Sequence, residues 1–559
     1  MTSPLVLGPL MRYVDQTSAA IWVETRDAAV VTVSAADRSW TARTFAAHGH
    51  HYALVAVDGL EPASVTPYDV RVGDTAVWPP QGGDGDYPPS VIATLKPGKP
   101  LRLAYGSCRT SVSHDEAGNA EHGVDALRSL ALRMAREPQT PWPDLVLFLG
   151  DQVYADITSE SMQAFIASRR SLEEPPGEEL LDFEEYAHLY ALAWSDPLNR
   201  WLLSTLPSSM IFDDHDVRDD WNTSLSWRRD MEQLSWWHTR IVAGLGSYWV
   251  YQHLGNLSPS ERAEDALWQR IEAHQGAEEL DITAELDAFA DRADKDPESY
   301  RWSYSRDIDD VRIVVVDSRA ARKLVPEKRS ILDDDEMEWL DGKMRGGCRH
   351  LLVGTSLPFL MPTGLHHFES WNEAVCNGAW GKRAARWGET LRRAVDLEHW
   401  GAFEEGFRRV YTMAAEVADG KRGPAPRTVT FLSGDVHHSY VSEVQRPRGA
   451  GRARILQAVC SPIRNPLPRF MRATMAFGST RPAIGFAGWL ARRAKVPPPP
   501  AEWQTVSGPW FDNCIATLED REDGLLLQWD AGVVDEDAPE DRDGNPEPRL
   551  TKVASVVID

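Results

Sequence analysis

Six short apolar runs, each stopping on side chains that can do chemistry, constrain this chain more than any other feature. They are 101-LRLAYGSC-108, 145-LVLFLGDQVYAD-156, 209-SMIFDDHD-216, 311-VRIVVVDSR-319, 350-HLLVGTS-356 and 428-TVTFLSGDVHH-438. Runs of Val, Ile, Leu and Phe without polar alternation predict strands covered on both faces. Open α/β sheets built from such strands bind ligands just beyond the carboxyl ends of the strands. In a mostly parallel sheet these ends share one edge. Cys108, Asp151, Tyr154, Asp213, Asp214, His215, Asp317, Asp435 and His437 are then expected to converge there.

The pattern around these runs divides the chain. Residues 1–98 carry β-prone segments such as 19-AAIWVE-24, 29-AVVTVSA-35, 52-YALVAV-57 and 68-YDVRVG-73, separated by turn residues at short spacing. This predicts a small all-β N-terminal domain of immunoglobulin or fibronectin type. The Gly/Pro-rich stretches 79-PPQGGDGDYPP-89 and 97-PGKP-100 read as a linker. From residue 99 to 559 strands alternate with helices, the mark of an α/β domain, with helical insertions at about 158–205, 228–297, 366–422 and 463–500. The stretch 511–532 predicts a β-hairpin and 551–558 a last strand.

Charge and cysteine usage narrow the function classes. A formal net charge of −25 argues against non-specific binding to nucleic acid or anionic membrane. An anionic substrate must therefore be drawn in locally, by metal ions or a basic patch. Five Cys without a CxxC pair exclude a disulfide framework and a Cys-rich zinc module. The N-terminus MTSPLVLGPLMRYVDQ has no basic n-region before an apolar core and no twin-Arg pair, and no run is long enough to span a bilayer. The expected location is cytoplasmic.

Carboxylate, imidazole, phenolate and thiolate together suit a multi-metal site. A Cys/Tyr set favours Fe or Zn, and an all-carboxylate set favours a hard cation such as Ca or Mg. Two adjacent metals clamp the attacking and leaving oxygens of a phosphoryl displacement. The ordered motifs GSC, GDQVY, DDHD and GDVHH resemble those of the calcineurin-like metallophosphoesterase superfamily, and more closely its PhoD-like (alkaline phosphatase D) branch, over roughly residues 100–530. The resemblance implies an α/β, four-layer metallophosphatase sandwich of two mixed β-sheets flanked by helices, behind the all-β N-terminal domain. It also implies a phosphoric mono- or diester hydrolase in which a metal-bound hydroxide attacks phosphorus.

Carried over by motif, Cys108 is the first-strand ligand, Asp151 the carboxylate bridging the metals, and Tyr154 a phenolate ligand. Asp214 stands where the wider superfamily has the Asn of GNHE, and His215 follows as acid toward the leaving oxygen. Asp435 stands at the first His of GHxH, and His437 matches the second. Cys108, Tyr154, Asp151 and His437 then suit Fe(III), while Asp151, Asp214 and Asp435 suit Ca2+, or Mg2+, Mn2+ or Zn2+ in its place. Arg218 interrupts the acidic pair that usually follows DDH, which leaves Asp219, Asp220 and Asn222 all open as ligands of a hard cation. The exported members of the family carry a twin-Arg leader, absent here.

Blander roles compete at several positions. Asp213 caps a turn, orients His215 or binds metal, and His438 ligates or only hydrogen-bonds the site. Asp156 is expected to cap a helix over 158–170, and Asp317 and Arg319 read equally well as a salt bridge between packed elements. Two other functions stay open: a metal-free hydrolase with Cys108 as nucleophile, and a non-catalytic binding protein built around the N-terminal sandwich. Between Ile463 and Pro500 lie Arg464, Arg469, Arg472, Arg481, Arg492, Arg493 and Lys495 with no acid, among many apolar residues. The stretch reads as an amphipathic helix pair, or as a lid for an anionic or lipid phosphate ester that touches membrane peripherally.

Overall fold

The computed structural model describes residues 3–80, 87–137, 139–446, 452–468, 472, 480–522 and 524–559. The six buried runs are strands or strand ends, but they fall in two sheets rather than one. The first sheet has the order Ser208–Ile211, Leu145–Leu149, Arg102–Gly106, Cys514–Arg521, Gly524–Val533, Arg549–Ile558. Its first three strands are parallel and the rest antiparallel. The second has the order Tyr304–Ile308, Val311–Val316, His350–Thr355, Thr428–Ser433, Arg454–Val459, Ser439–Val444, Trp503–Trp510, with four parallel strands in its middle.

Alternation along each strand explains how the sheets pack, because successive side chains point to opposite faces. Leu103, Leu145, Leu147 and Leu149 of the first sheet share one apolar cluster with Ile313, Val315, Leu352, Leu432 and Leu456 of the second. The alternate residues Ala104, Val146 and Phe148 join a cluster with the helices Ala126–Arg136 and Phe183–Trp194. On the second sheet Val314, Val316, Leu351, Val353 and Phe431 do the same with Asp334–Lys343 and Glu404–Ala418. Two parallel sets of strand ends therefore meet across a shared core.

The contact between them is tight. Asp435 N, beyond a strand of the second sheet, donates to Ser107 Oγ of the first at 3.2 Å, and Ile463 N donates to Ser107 O at 2.7 Å. A Cβ on Gly434 would lie 1.9 Å from Ser107 Oγ, and one on Gly150, at φ 103°, would lie 2.6 Å from Asp213 Cβ. Gly434 is thus demanded by close approach of one sheet's loop to the other's, and Gly150 by its positive φ, by the adjoining Asp213 of its own sheet and by Ser356 Cβ of the other, 3.1 Å away.

The N-terminal strands form two further sheets, and these are joined to the rest of the chain rather than hung from it. Leu280–Asp281, from the insertion at 228–297, pairs in parallel with Phe45–Ala47. Arg12 is buried and donates to the carbonyls of Tyr251 (2.6 Å) and Gln252 (2.7 Å). The predicted linker falls partly outside the described residues, at 81–86. The hairpin and last strand are present as Cys514–Arg521, Gly524–Val533 and Arg549–Ile558. Of the basic stretch, residues 469–471 and 473–479 lie outside the described residues, while Arg481–Arg493 is a helix. Arg464 is no surface cation: it is fully buried and donates to the carbonyls of Val112, Ser113 and Gly123.

Two structural consequences can be measured. Gly434→Ala should cost about 1–3 kcal/mol through overpacking, whereas Gly342→Ala, in an exposed helical turn with nothing within 4 Å, should be neutral or stabilising. Denaturant titration of both variants checks the contrast. His253 and His366 are fully enclosed, and burial pushes each imidazole down to about 3, so the fold holds both neutral. The unfolded chain takes up those protons below about pH 6.5, so stability should fall as pH drops from there toward 3. His253→Phe should flatten that decline, by up to about 3 kcal/mol at pH 4. An unchanged slope in urea unfolding would contradict it.

Candidate metal centre

Most of the site hangs from strand ends in strained backbone. Cys108, Asp151, Asp435 and His437 have φ of 55°, 49°, 66° and 49°, and Asp220 and Asn222 are also positive at 63° and 60°. A non-glycine residue held in the left-handed region costs about 1–3 kcal/mol, and such strain collects at functional sites. From three such strand ends Cys108, Asp151 and His437 bring ligand atoms within 4.8 Å of one another. Asp216 ties two of these ends together, its Oδ2 accepting from Asp151 N at 3.0 Å and Asp213 N at 2.8 Å.

Three ligand clusters result, each with donor atoms within 4.8 Å of one another: Cys108, Asp151 and His437; Asp151, Asp213 and Asp214; Asp214, His215 and Asp219. Asp151 belongs to two of them. Cys108 Sγ is 3.2 Å from Asp151 Oδ2, and Tyr154 OH is 3.4 Å from the same oxygen while accepting from Asn465 Nδ2 at 2.9 Å. Asp435 reaches the cluster through its carbonyl, 3.5 Å from Cys108 Sγ. Its carboxylate faces His399 and Arg319, with His399 Nε2 at 2.9 Å.

The electrostatics match a site that needs cations. Burial, with Asp213, Asp214 and Asp216 nearby, pushes the Asp151 carboxyl well above its usual range. Burial and neighbouring carboxylates raise Asp213 and Asp214 too. Burial, with Asp151, raises the Cys108 thiol and the Tyr154 phenol. Asp151 Oδ1 and Asp213 Oδ2 are buried with no hydrogen-bond partner. Acceptors left unmade and carboxyls crowded into one place cost several kcal/mol unless a cation joins them. Burial holds the His437 imidazole down at about 4, the neutral form a metal ligand requires. The donor set therefore fits metal ions. The raised Cys108 thiol, with carboxylates for neighbours, gives no support to a thiolate nucleophile.

His215 has a different setting. Its Nδ1 is 2.9 Å from Asp156 Oδ1, and its Nε2 is 3.8 Å from Asp219 Oδ1. Burial works against its charge, but Asp156 and Asp214 outweigh that and hold its pKa well above the usual value. Asp156 is thus the partner that orients His215, while Ser159 caps the helix Glu160–Arg169 in its place. Asp213 does not orient His215; its Oδ1 pairs with Arg319 Nε at 2.5 Å.

Other positions sort as follows. His438 Nδ1 donates to Val436 O at 2.7 Å and its ring stacks on Tyr440, so it stands outside the ligand clusters. Asn222 donates to Arg319 O at 3.2 Å. Asp219 joins a cluster, and Asp220, pushed up to about 9 by burial and by Glu398 and Asp396, keeps a buried Oδ1 without a partner. Asp317 and Arg319 are no side-chain salt bridge: Asp317 accepts the backbone N–H groups of Arg319, Ala320 and Ala321.

Arg319 is central and was not legible as such. Fully buried, it lies 2.5 Å from Asp213, 3.2 Å from Asp214, 2.5 Å from Glu398 and 3.7 Å from Asp435. His399 bridges Asp435 Oδ2 and Glu369 Oε1 at 2.9 and 2.7 Å. Burial opposes the Asp435 charge, yet the His399 hydrogen bond and Arg319 hold its carboxyl far below the usual range. Glu369, Glu398 and His399 come from the insertion at 366–422, which has no strand-end pattern to mark them.

With this geometry in view, comparison with known proteins is informative. No curated protein matches the chain. A domain family of unknown function matches residues 2–92. A solved structure of PhoD is 15% identical, aligns over 100% of this chain and 94% of its own, and superposes with a TM-score of 0.56. At that identity the likeness establishes the fold. A pullulan hydrolase from Thermococcus kodakarensis, with a TM-score of 0.15, carries no argument. The model of the PhoD-like phosphatases matches residues 126–468, which takes in every motif except that of Cys108. A match over more than half the chain, on the strand ends that the fold gathers in one place, shows that this chain belongs to the PhoD-like phosphatase family.

Proposed function

We propose that the chain hydrolyses phosphoric mono- or diesters, of small molecules or lipids, at a centre of at least two cations. Family membership supports a phosphoester hydrolase, and one observation carries the metal reading: Asp151 sits in two three-ligand clusters at once. Cys108, Asp151, Tyr154 and His437 would hold Fe(III). Asp151, Asp214 and Asp435 would hold Ca2+ or a similar hard cation, with Asp213, Asp219 and Asp220 in reserve around them. When bound, these ions lower the pKa of a water and neutralise charge that develops on the phosphoryl oxygens.

The chain's own residues do the rest. His215, kept protonated by Asp156 and Asp214 and oriented through Nδ1, presents Nε2 as the proton donor to the leaving oxygen. Arg319 spaces Asp213 and Asp214 apart and limits their repulsion. The Glu369–His399 pair fixes the rotamer of Asp435. For the frame we adopt a four-layer sandwich, since the two faces of each central sheet feed different apolar clusters. We read residues 1–98 as an immunoglobulin- or fibronectin-like leader to a catalytic domain at 99–559. The described residues contain no helix long and apolar enough to cross a membrane; a cytoplasmic location and no nucleic-acid partner complete the proposal.

Asp151→Asn should be the most damaging single change, with loss of both kinds of metal while the fold persists. Elemental analysis beside circular dichroism tests it, and a variant that kept its metals and its rate would sink the bridging assignment. His437→Ala should lose metal and, with it, activity. His215→Ala should keep its metals and lose roughly 10²–10⁴ in rate, less for an aryl ester with an acidic leaving group and more for an alkyl ester. Equal losses on the two esters would remove the general-acid role.

A further inference from the structure

The exposed large aromatic side chains among the described residues are gathered on one face. Among the described residues the exposed large aromatics are Trp380, Trp387, Phe486 and Trp489, at 42%, 55%, 61% and 46% exposure. They lie on the helix Lys382–Ala394, on the turn before it, and on the helix Arg481–Arg493. Direct contacts join them. Buried Trp371 packs edge-on against Trp380 and Trp387, with ring centroids 5.6 and 6.0 Å away. Trp380 Nε1 donates to Arg493 O at 3.3 Å, the Arg493 guanidinium lies 5.4 Å over the Trp489 ring, and Trp489 stacks on Phe486 at 6.1 Å.

The charge of this face reverses that of the molecule. Lys382, Arg383, Arg386, Arg481, Arg492 and Lys495 are exposed and have no carboxylate partner among the described residues. The helix Arg481–Arg493 contains no acid. The helix Lys382–Ala394 contains only Glu389, which is engaged by Ser226 and Arg392. In a chain of net charge −25, cations and rings interleaved in this way need an explanation. An unfilled core is not the explanation, because both helices already bury another face, through Trp371, Val375, Leu490, Ala491 and Ala494 with Leu391 packed alongside.

We propose that this face docks the protein on an anionic lipid bilayer. Trp and Phe settle at the boundary between headgroups and acyl chains, and Lys and Arg beside them meet lipid phosphates. Screening confines the field to about 10 Å at moderate ionic strength, so the patch attracts a lipid surface that the body of the protein repels. Four rings exposed side by side across two helices suit an extended, sheet-like partner. Docking does not depend on the phosphoesterase reading, but one helix links the patch to the candidate site. The helix Thr363–Cys376, which carries Trp371 in the patch, also carries Glu369, the anchor of His399 and through it of Asp435.

Sedimentation of the full chain with vesicles tests this. The protein should bind vesicles of equal parts phosphatidylcholine and phosphatidylglycerol, ignore phosphatidylcholine alone, and release at high salt. The pair Trp387→Ala with Trp489→Ala, and the pair Arg383→Glu with Arg386→Glu, should each lower partitioning by about tenfold or more. Both should hydrolyse a soluble aryl phosphate ester at the unaltered rate, which also shows that they fold. Failure to bind the anionic vesicles, or undiminished binding by either pair, overturns the proposal. So does binding to heparin that matches vesicle binding and ignores the tryptophan pair, because the face would then be a plain polyanion surface.

Discussion

Burying Asp151, Asp213, Asp214 and Asp435 within reach of one another is the constraint around which the site is arranged. Carboxylates that close cannot all ionise in a water-poor space without compensating charge. The chain itself supplies one deeply buried guanidinium, Arg319, which touches Asp213, Asp214, Glu398 and Asp435. That leaves Asp151 raised and one of its oxygens unpartnered. The residual demand for positive charge falls where thiol, phenol and imidazole donors also converge, a donor set that fits metal ions.

Such a cluster survives only in a frame that can pay for strain. Four of the proposed ligands stand in left-handed backbone, and the glycines of both GD motifs sit where a methyl group would strike a neighbouring strand end. The two central sheets share an apolar core and are backed by two further clusters beneath helices. Their packing holds the loops together when local preference would relax them. The insertion that supplies Glu369, Glu398 and His399 works the same way from the other side, as a buttress against Asp435 and Arg319.

The surface obeys a different economy. A strongly acidic body keeps the molecule apart from other anions, while a patch of rings and cations on two helices breaks the rule locally. One helix, Thr363–Cys376, contributes both to that patch and to the support of Asp435.

The existence of buried strands and the residues at their ends were legible from the sequence, because apolar runs report burial directly and the ends of runs report chemistry. Cys108, Asp151, Asp214, His215 and His437 could be named for that reason, and the last hairpin and strand followed from the same pattern. Local pattern could not show that the strands divide between two sheets, that Asp156 serves His215 instead of a helix cap, or that Arg464 is interior. Nor could it show that Arg319, Glu398 and His399 close the site. Those facts depend on residues brought together across up to several hundred positions of chain. A side chain's partner at such separation is chosen by the packing of whole sheets and helices, to which a short stretch of sequence is blind.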